Sequence, residues 1–181
     1  MNAPRKDPLL LAGKTLTLLI QGAMALAAAV IVLMIPAILF TKDEINAEVI
    51  AEVGPDALAM PILPLMLLLA CVLVVVALVF LFFGKLRGII DTVAAGDPFV
   101  PGNADRLATM AWLQMAIYVA KFAAERAAIG MAGWVNQFRE VTMDTSFNID
   151  VIPVLLVLVL FILARVFRHG AAMRDDLEGT V

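Results

Sequence analysis

From Leu16 to Phe40 the chain carries no charged side chain, and from Pro61 to Phe83 it again carries none. At a rise of about 1.5 Å per residue, either run is long enough to cross the roughly 30 Å hydrocarbon core of a bilayer as a helix. Composition agrees. Of 181 residues 63% are hydrophobic and 16% charged, with a mean hydropathy of +1.00, whereas a soluble domain lies nearer half apolar and a quarter charged. These values describe one compact membrane domain with little room for a separate soluble module. Alanines near Ala23 and Ala25 resemble a signal-peptide cleavage region, but the apolar run continues well past them, and a retained first helix is expected.

Two further spans are expected on weaker signals. Leu107 to Ala120 and Val151 to Ala164 are uncharged but fall short of the ~20 residues a span needs. Lys121 and Arg165 can snorkel and lengthen them, and Trp112 and Trp134 are placed as interfacial anchors. The expected layout is an all-α membrane protein of four transmembrane helices, 16–40, 61–83, 107–124 and 151–167. A platform over 84–106 extends helix 2 as an amphipathic helix. An outer loop spans 125–150, and a tail over 168–181 forms a short C-terminal helix.

Basic residues set the orientation. Arg5, Lys6 and Lys14 precede the first span; Lys85, Arg87 and Arg106 lie in the platform; Arg165, Arg168 and Arg174 close the chain. Only Lys42, Lys121, Arg126 and Arg139 lie in the other two connections. The positive-inside rule therefore places both termini and the platform in the cytoplasm. The outer connection after the first span is acidic, with Glu44, Glu48 and Glu52 at i, i+4 and i+8 suggesting one helical face. Paired carboxylates can bind cations; a solvated outer segment is the preferred reading.

The platform holds most of the turn chemistry. Leu86, Ile89, Ile90 and Val93 fall at i, i+3, i+4 and i+7, one helical stripe, with Lys85, Arg87 and Asp91 off it. Gly96 stands where a helix C-cap takes positive φ, and Pro98 blocks continuation. Asn103 is expected to cap the next helix, with Asp105 and Arg106 in its first turn. Turn chemistry accounts for Asp97, Pro98 and Phe99, with Phe99 as a surface anchor; a partner surface is the sharper alternative.

Catalytic and cofactor chemistry finds little footing. A lone Cys71 leaves no internal disulfide, and a lone His169 disfavours a protein-built zinc or haem site. Ser146, the one serine, lies in the outer loop away from His169. Gly84, Gly88 and Gly96 match no phosphate loop. No enzyme activity, cofactor or metal is expected.

Two segments carry a resemblance. Gly96-Asp97-Pro98-Phe99-Val100-Pro101-Gly102-Asn103-Ala104-Asp105-Arg106-Leu107 resembles the central signature of a bacterial four-helix membrane family catalogued as domain of unknown function 2975, in which a Gly-Asp/Asn-Pro-Phe turn is followed by Asn and then Arg-Leu. The ending, from Phe161 through Arg165-Val166-Phe167-Arg168-His169-Gly170 to Met173-Arg174-Asp175-Asp176-Leu177-Glu178-Gly179-Thr180-Val181, is similar to that family's close. The resemblance implies four membrane helices in the bacterial inner membrane. Members are often encoded beside small helix-turn-helix regulators, which implies a regulatory or sensory membrane partner for such a cytoplasmic regulator, with no direct nucleic-acid contact.

Two charge clusters complete the candidate surface. Arg165, Arg168 and His169 share a face by i, i+3 and i+4 spacing and suit anionic headgroups or a phosphorylated ligand. The preferred reading is a latch, in which Asp175, Asp176 and Glu178 fold back onto Arg87 or Arg106, while Arg174 adds to the tail's cations. Lys121, Glu125 and Arg126 read as a snorkelled ion pair at the outer interface. They would instead be the working residues if the chain were a small-molecule or ion-handling protein. A structural subunit of a membrane complex is the third alternative, and homo-oligomers stay open.

Overall fold

The computed structural model describes residues 8–138 and 150–178. Arg5 and Lys6, Arg139 and Ser146, and the closing Gly179-Thr180-Val181 lie outside the described residues. The elements in order are α1 (Pro8–Val53), α2 (Ile62–Ala94), α3 (Pro101–Ile129), α4 (Ala132–Val135) and α5 (Ile152–Glu178). All are helical, and α1, α2, α3 and α5 are long and apolar enough to cross a membrane. The chain is an all-α, multi-pass membrane protein.

Each span is longer than its uncharged stretch. Asp105 and Arg106 at one end, and Lys121, Glu125 and Arg126 at the other, belong to α3 itself, so the short apolar segment is the middle of a full-length helix. The acidic connection is helical too. α1 continues past Phe40 to Val53, with Pro36 inside it, and Glu44, Glu48 and Glu52 are exposed along it. Residues 168–178 extend α5 without a break.

The chain divides into two compact units. The first comprises Met1–Ala25, Ala77–Tyr118 and Asp150–Val181. Its core joins Leu107, Met110 and Ala111 of α3 to Val157, Leu160 and Ala164 of α5, with Phe82, Leu86 and Ile89 of α2 packed against them. Small residues such as Ala111 and Ala164 let membrane helices approach closely where no hydrophobic effect draws them together. Leu86 and Ile89 are half of the apolar stripe expected for the platform. Ile90 of that stripe meets α1, its Cδ1 lying 3.4 Å from where a Cβ on Gly13 would stand.

The second unit comprises Leu26–Val76 and Val119–Ile149. Ile31, Val49, Met60, Leu69, Ala127 and Met131 are buried in it. Its α1–α2 connection is held by side chains. Asn46 Oδ1 accepts from the Met60 N–H at 2.8 Å. The Gln137 amide pairs with both backbone groups of Leu58, at 2.8 and 3.3 Å. Gly130 packs on Pro64, whose Cβ would lie 3.0 Å from any Cβ added there.

Candidate functional site

The site is built at the junction of α2 and α3, inside the first unit. α2 ends in a Schellman motif: Asp97 N–H donates to Thr92 O and Gly96 N–H to Val93 O, both at 3.0 Å, with Gly96 at φ +86°. Gly96 is thus the C-cap the sequence marks.

The next helix begins three residues earlier than the Asn103 cap would require. Pro101 opens α3, and a proline suits the first helical position because its φ is preset and its missing N–H would have no partner. Asn103 therefore lies in the first turn, its own N–H donating to Val100 O at 2.9 Å, and it does not cap α3. Its side chain turns back instead. It is 0% exposed, and Nδ2 donates to Thr92 Oγ1 at 2.7 Å and to Pro98 O at 2.9 Å. Oδ1 accepts from Arg106 Nη1 at 2.8 Å. One amide thus ties the end of α2, the turn and the start of α3 together.

Arg106 serves the same junction. The same nitrogen donates to Gly88 O at 3.0 Å, and the guanidinium lies close to Gly88, where a Cβ would stand 3.0 Å from Nε. A second glycine one turn earlier plays a like part. Gln21 of α1 donates to Phe80 O at 3.3 Å and lies 3.2 Å from where a Cβ on Gly84 would stand. Its Oε1 faces Arg87 Nη1 at 3.5 Å.

Three ion pairs fasten other helices to this junction. Lys14 of α1 meets Asp91 at 2.6 Å, Arg174 of α5 pairs with Asp97, and Arg168 of α5 reaches Asp105 at 3.5 Å. A latch between tail and platform is present, but its polarity is opposite to the expected one: the tail supplies the cations and the platform the carboxylates. Arg87 and Arg106 are engaged by Gln21, Gly88 and Asn103, and the side chain of Glu178 lies outside the described residues. Phe99 completes the latch. Its ring stacks on Phe167 with centroids 5.5 Å apart and lies over Gly170, where a Cβ would be 2.7 Å from Cδ1.

The trio Arg165, Arg168 and His169 is split. Arg168 turns to Asp105, while Arg165 and His169 are exposed. In the second unit, Arg126 packs over the Phe122 ring at 5.3 Å. Lys121 and Glu125 are exposed and form no ion pair among the described residues, so the expected outer pair is absent there. Trp112 stacks edge-on against Phe161 at 5.5 Å, and Trp134 against Phe138 at 5.3 Å.

Thr92, Gly88, Gly170 and the Lys14–Asp91 pair escape the sequence reading. The glycines left a signal, since a glycine inside a membrane helix marks close approach by a neighbour, but the neighbour's identity is not written locally.

One family model matches residues 42–181, that of a family described as protein of unknown function. Both signature-like segments lie within the match. No curated protein and no solved structure matches the chain.

Proposed function

The chain belongs to the family of proteins of unknown function DUF2975, and from that premise we propose that it is a regulatory protein of the bacterial inner membrane. Its cytoplasmic end binds and releases a small helix-turn-helix DNA-binding regulator. The observation that carries the reading is the latch, in which Asp97, Phe99 and Asp105 of the junction hold the last turns of α5 through Arg174, Gly170 and Arg168. The cluster of basic residues at the start of α1, in the platform and in α5 supports a cytoplasmic placement for this end.

Magnitudes make the latch suitable for switching. Arg168 and Asp105 are 67% and 78% exposed, and Arg174 and Asp97 45% and 39%. Solvated pairs of this kind contribute about 0–1 kcal/mol each. Partial burial of the Phe99 ring adds on the order of 1 kcal/mol. A closed state favoured by only a few kcal/mol can be opened by a partner that binds the open surface selectively. Asn103 beneath is buried and held by three hydrogen bonds, giving the moving segment a seat.

The test is co-purification of the full-length tagged protein, in detergent, with a regulator encoded beside it. The regulator is expected to accompany the wild type and to be lost when Asp97 and Phe99 are both replaced by Ala. Retention by the double variant, or no regulator with the wild type, contradicts the reading.

A further inference from the structure

α5 presents two opposite faces. Val157, Leu160, Ala164 and Ala171 are buried, and at about 100° per residue they cluster on one side. Leu158, Ile162, Val166 and Met173 fall on the other side and are exposed, between 53% and 57% each, as lipid-facing residues are. His169 falls within that outward stripe and Arg165 at its edge, about 40° apart and one turn from each other. Neither takes a hydrogen bond or ion pair among the described residues, although Arg168 and Arg174 on the same helix both find carboxylates.

A guanidinium facing lipid is costly unless it reaches the headgroups. The neighbouring pairs mark where the polar layer begins. Arg168–Asp105 is one turn toward the C-terminus from Arg165, and Arg174–Asp97 is about 13 Å beyond it along the helix. The arm of Arg165 is long and flexible enough to snorkel back toward that layer. Side chains on a helix lean toward its N-terminus, which brings the His169 imidazole down over the turn that Arg165 occupies.

We propose that Arg165 and His169 form a headgroup site for one anionic phospholipid. The guanidinium holds the phosphate oxygens through paired N–H donors, the imidazole supplies a further N–H, and the acyl chains run along Leu158, Ile162 and Val166. This site faces away from the latch, and the regulator reading stands or falls independently of it.

Native mass spectrometry of the full-length protein in detergent tests the site, with phosphatidylglycerol, phosphatidylcholine and free glycerol phosphate as probes. The wild type is expected to retain one phosphatidylglycerol in preference to phosphatidylcholine. Replacing both residues, Arg165→Gln with His169→Gln, should weaken that retention about tenfold. Lys85→Gln, which removes the same unit of charge from an exposed position on α2, should leave it unchanged. Both changed side chains are exposed, so the fold is expected to persist, checked by helical circular dichroism. Equal retention of the two lipids, equal binding of free glycerol phosphate, an unaffected double variant, or an equal loss in Lys85→Gln would each overturn the proposal.

Discussion

Replacing Asn103 by Leu is expected to destabilise the protein by about 3 kcal/mol, although the two side chains are close in size. The amide is fully buried and makes three hydrogen bonds, to Thr92, Pro98 and Arg106. Leu removes all three and leaves the Pro98 carbonyl and one bond of the Arg106 guanidinium unpaired beside a buried side chain. The loss of a bond to a charged partner is the largest of the three. Thermal unfolding in detergent should show a midpoint lower by about 5–10 °C. Asp105→Asn, at a position whose side chain is 78% exposed, should shift it by no more than about 0.5 kcal/mol. Asn103→Asp tests the geometry: it keeps an oxygen for Arg106 but offers no donor to Pro98, and should fall between wild type and Leu. A Leu variant as stable as Asp105→Asn would show that the junction is not held from this residue.

The second large effect is a change of sign. In an ordinary helix interior, Gly→Ala stabilises by up to about 1 kcal/mol. At Gly170 the new methyl would stand 2.7 and 2.9 Å from two atoms of the Phe99 ring, too close for the ring to remain. Gly170→Ala should therefore expel Phe99 from its place against Phe167 and lower stability by about 1 kcal/mol net, the lost ring packing exceeding the helix gain. In a Phe99→Ala background the obstacle is absent, and the same Gly170→Ala should raise stability by up to about 1 kcal/mol. The double-mutant cycle isolates the contact. Additive effects, with Gly170→Ala stabilising in both backgrounds, would contradict the packing of Phe99 on α5.

Both predictions concern residues whose types the sequence flags and whose partners it hides. Two spans are legible because bilayer thickness imposes a length that their uncharged runs meet, and the other two reach it only with charged ends that can snorkel. Gly96 was legible because a helix end followed by proline is a local problem with a local solution. Asn103 is not the cap its residue type suggests, because Pro101 carries the stronger signal: proline's preference for the first helical position outweighs Asn's preference for the position before it.

The latch was legible in kind and reversed in detail. Charges of both signs at the end of the chain announce a pairing, but which sign pairs depends on what the opposing residues already hold. Arg87 and Arg106 are taken by neutral acceptors on Gln21, Gly88 and Asn103, a fact set by the approach of α1 and α3 to α2. Lys14 and Asp91, 77 positions apart, meet only because α1 packs on α2. Likewise the acidic i, i+4, i+8 spacing after Phe40 contained the continuation of α1 to Val53, a helical signal in a segment whose composition spoke for a loop.

On the proposed placement, the start of α1, the α2–α3 turn and the end of α5 share one wet side, the cytoplasm. Labelling single cysteines with a membrane-impermeant maleimide measures it directly. In a Cys71→Ser background, cysteines are placed at the exposed positions Leu9, Ala95 and Leu177, with Asp56→Cys in the α1–α2 connection as the opposite-side reference. In intact spheroplasts only the Asp56→Cys protein is expected to be labelled, with the other three labelled only after lysis. Labelling of any of those three before lysis would contradict it.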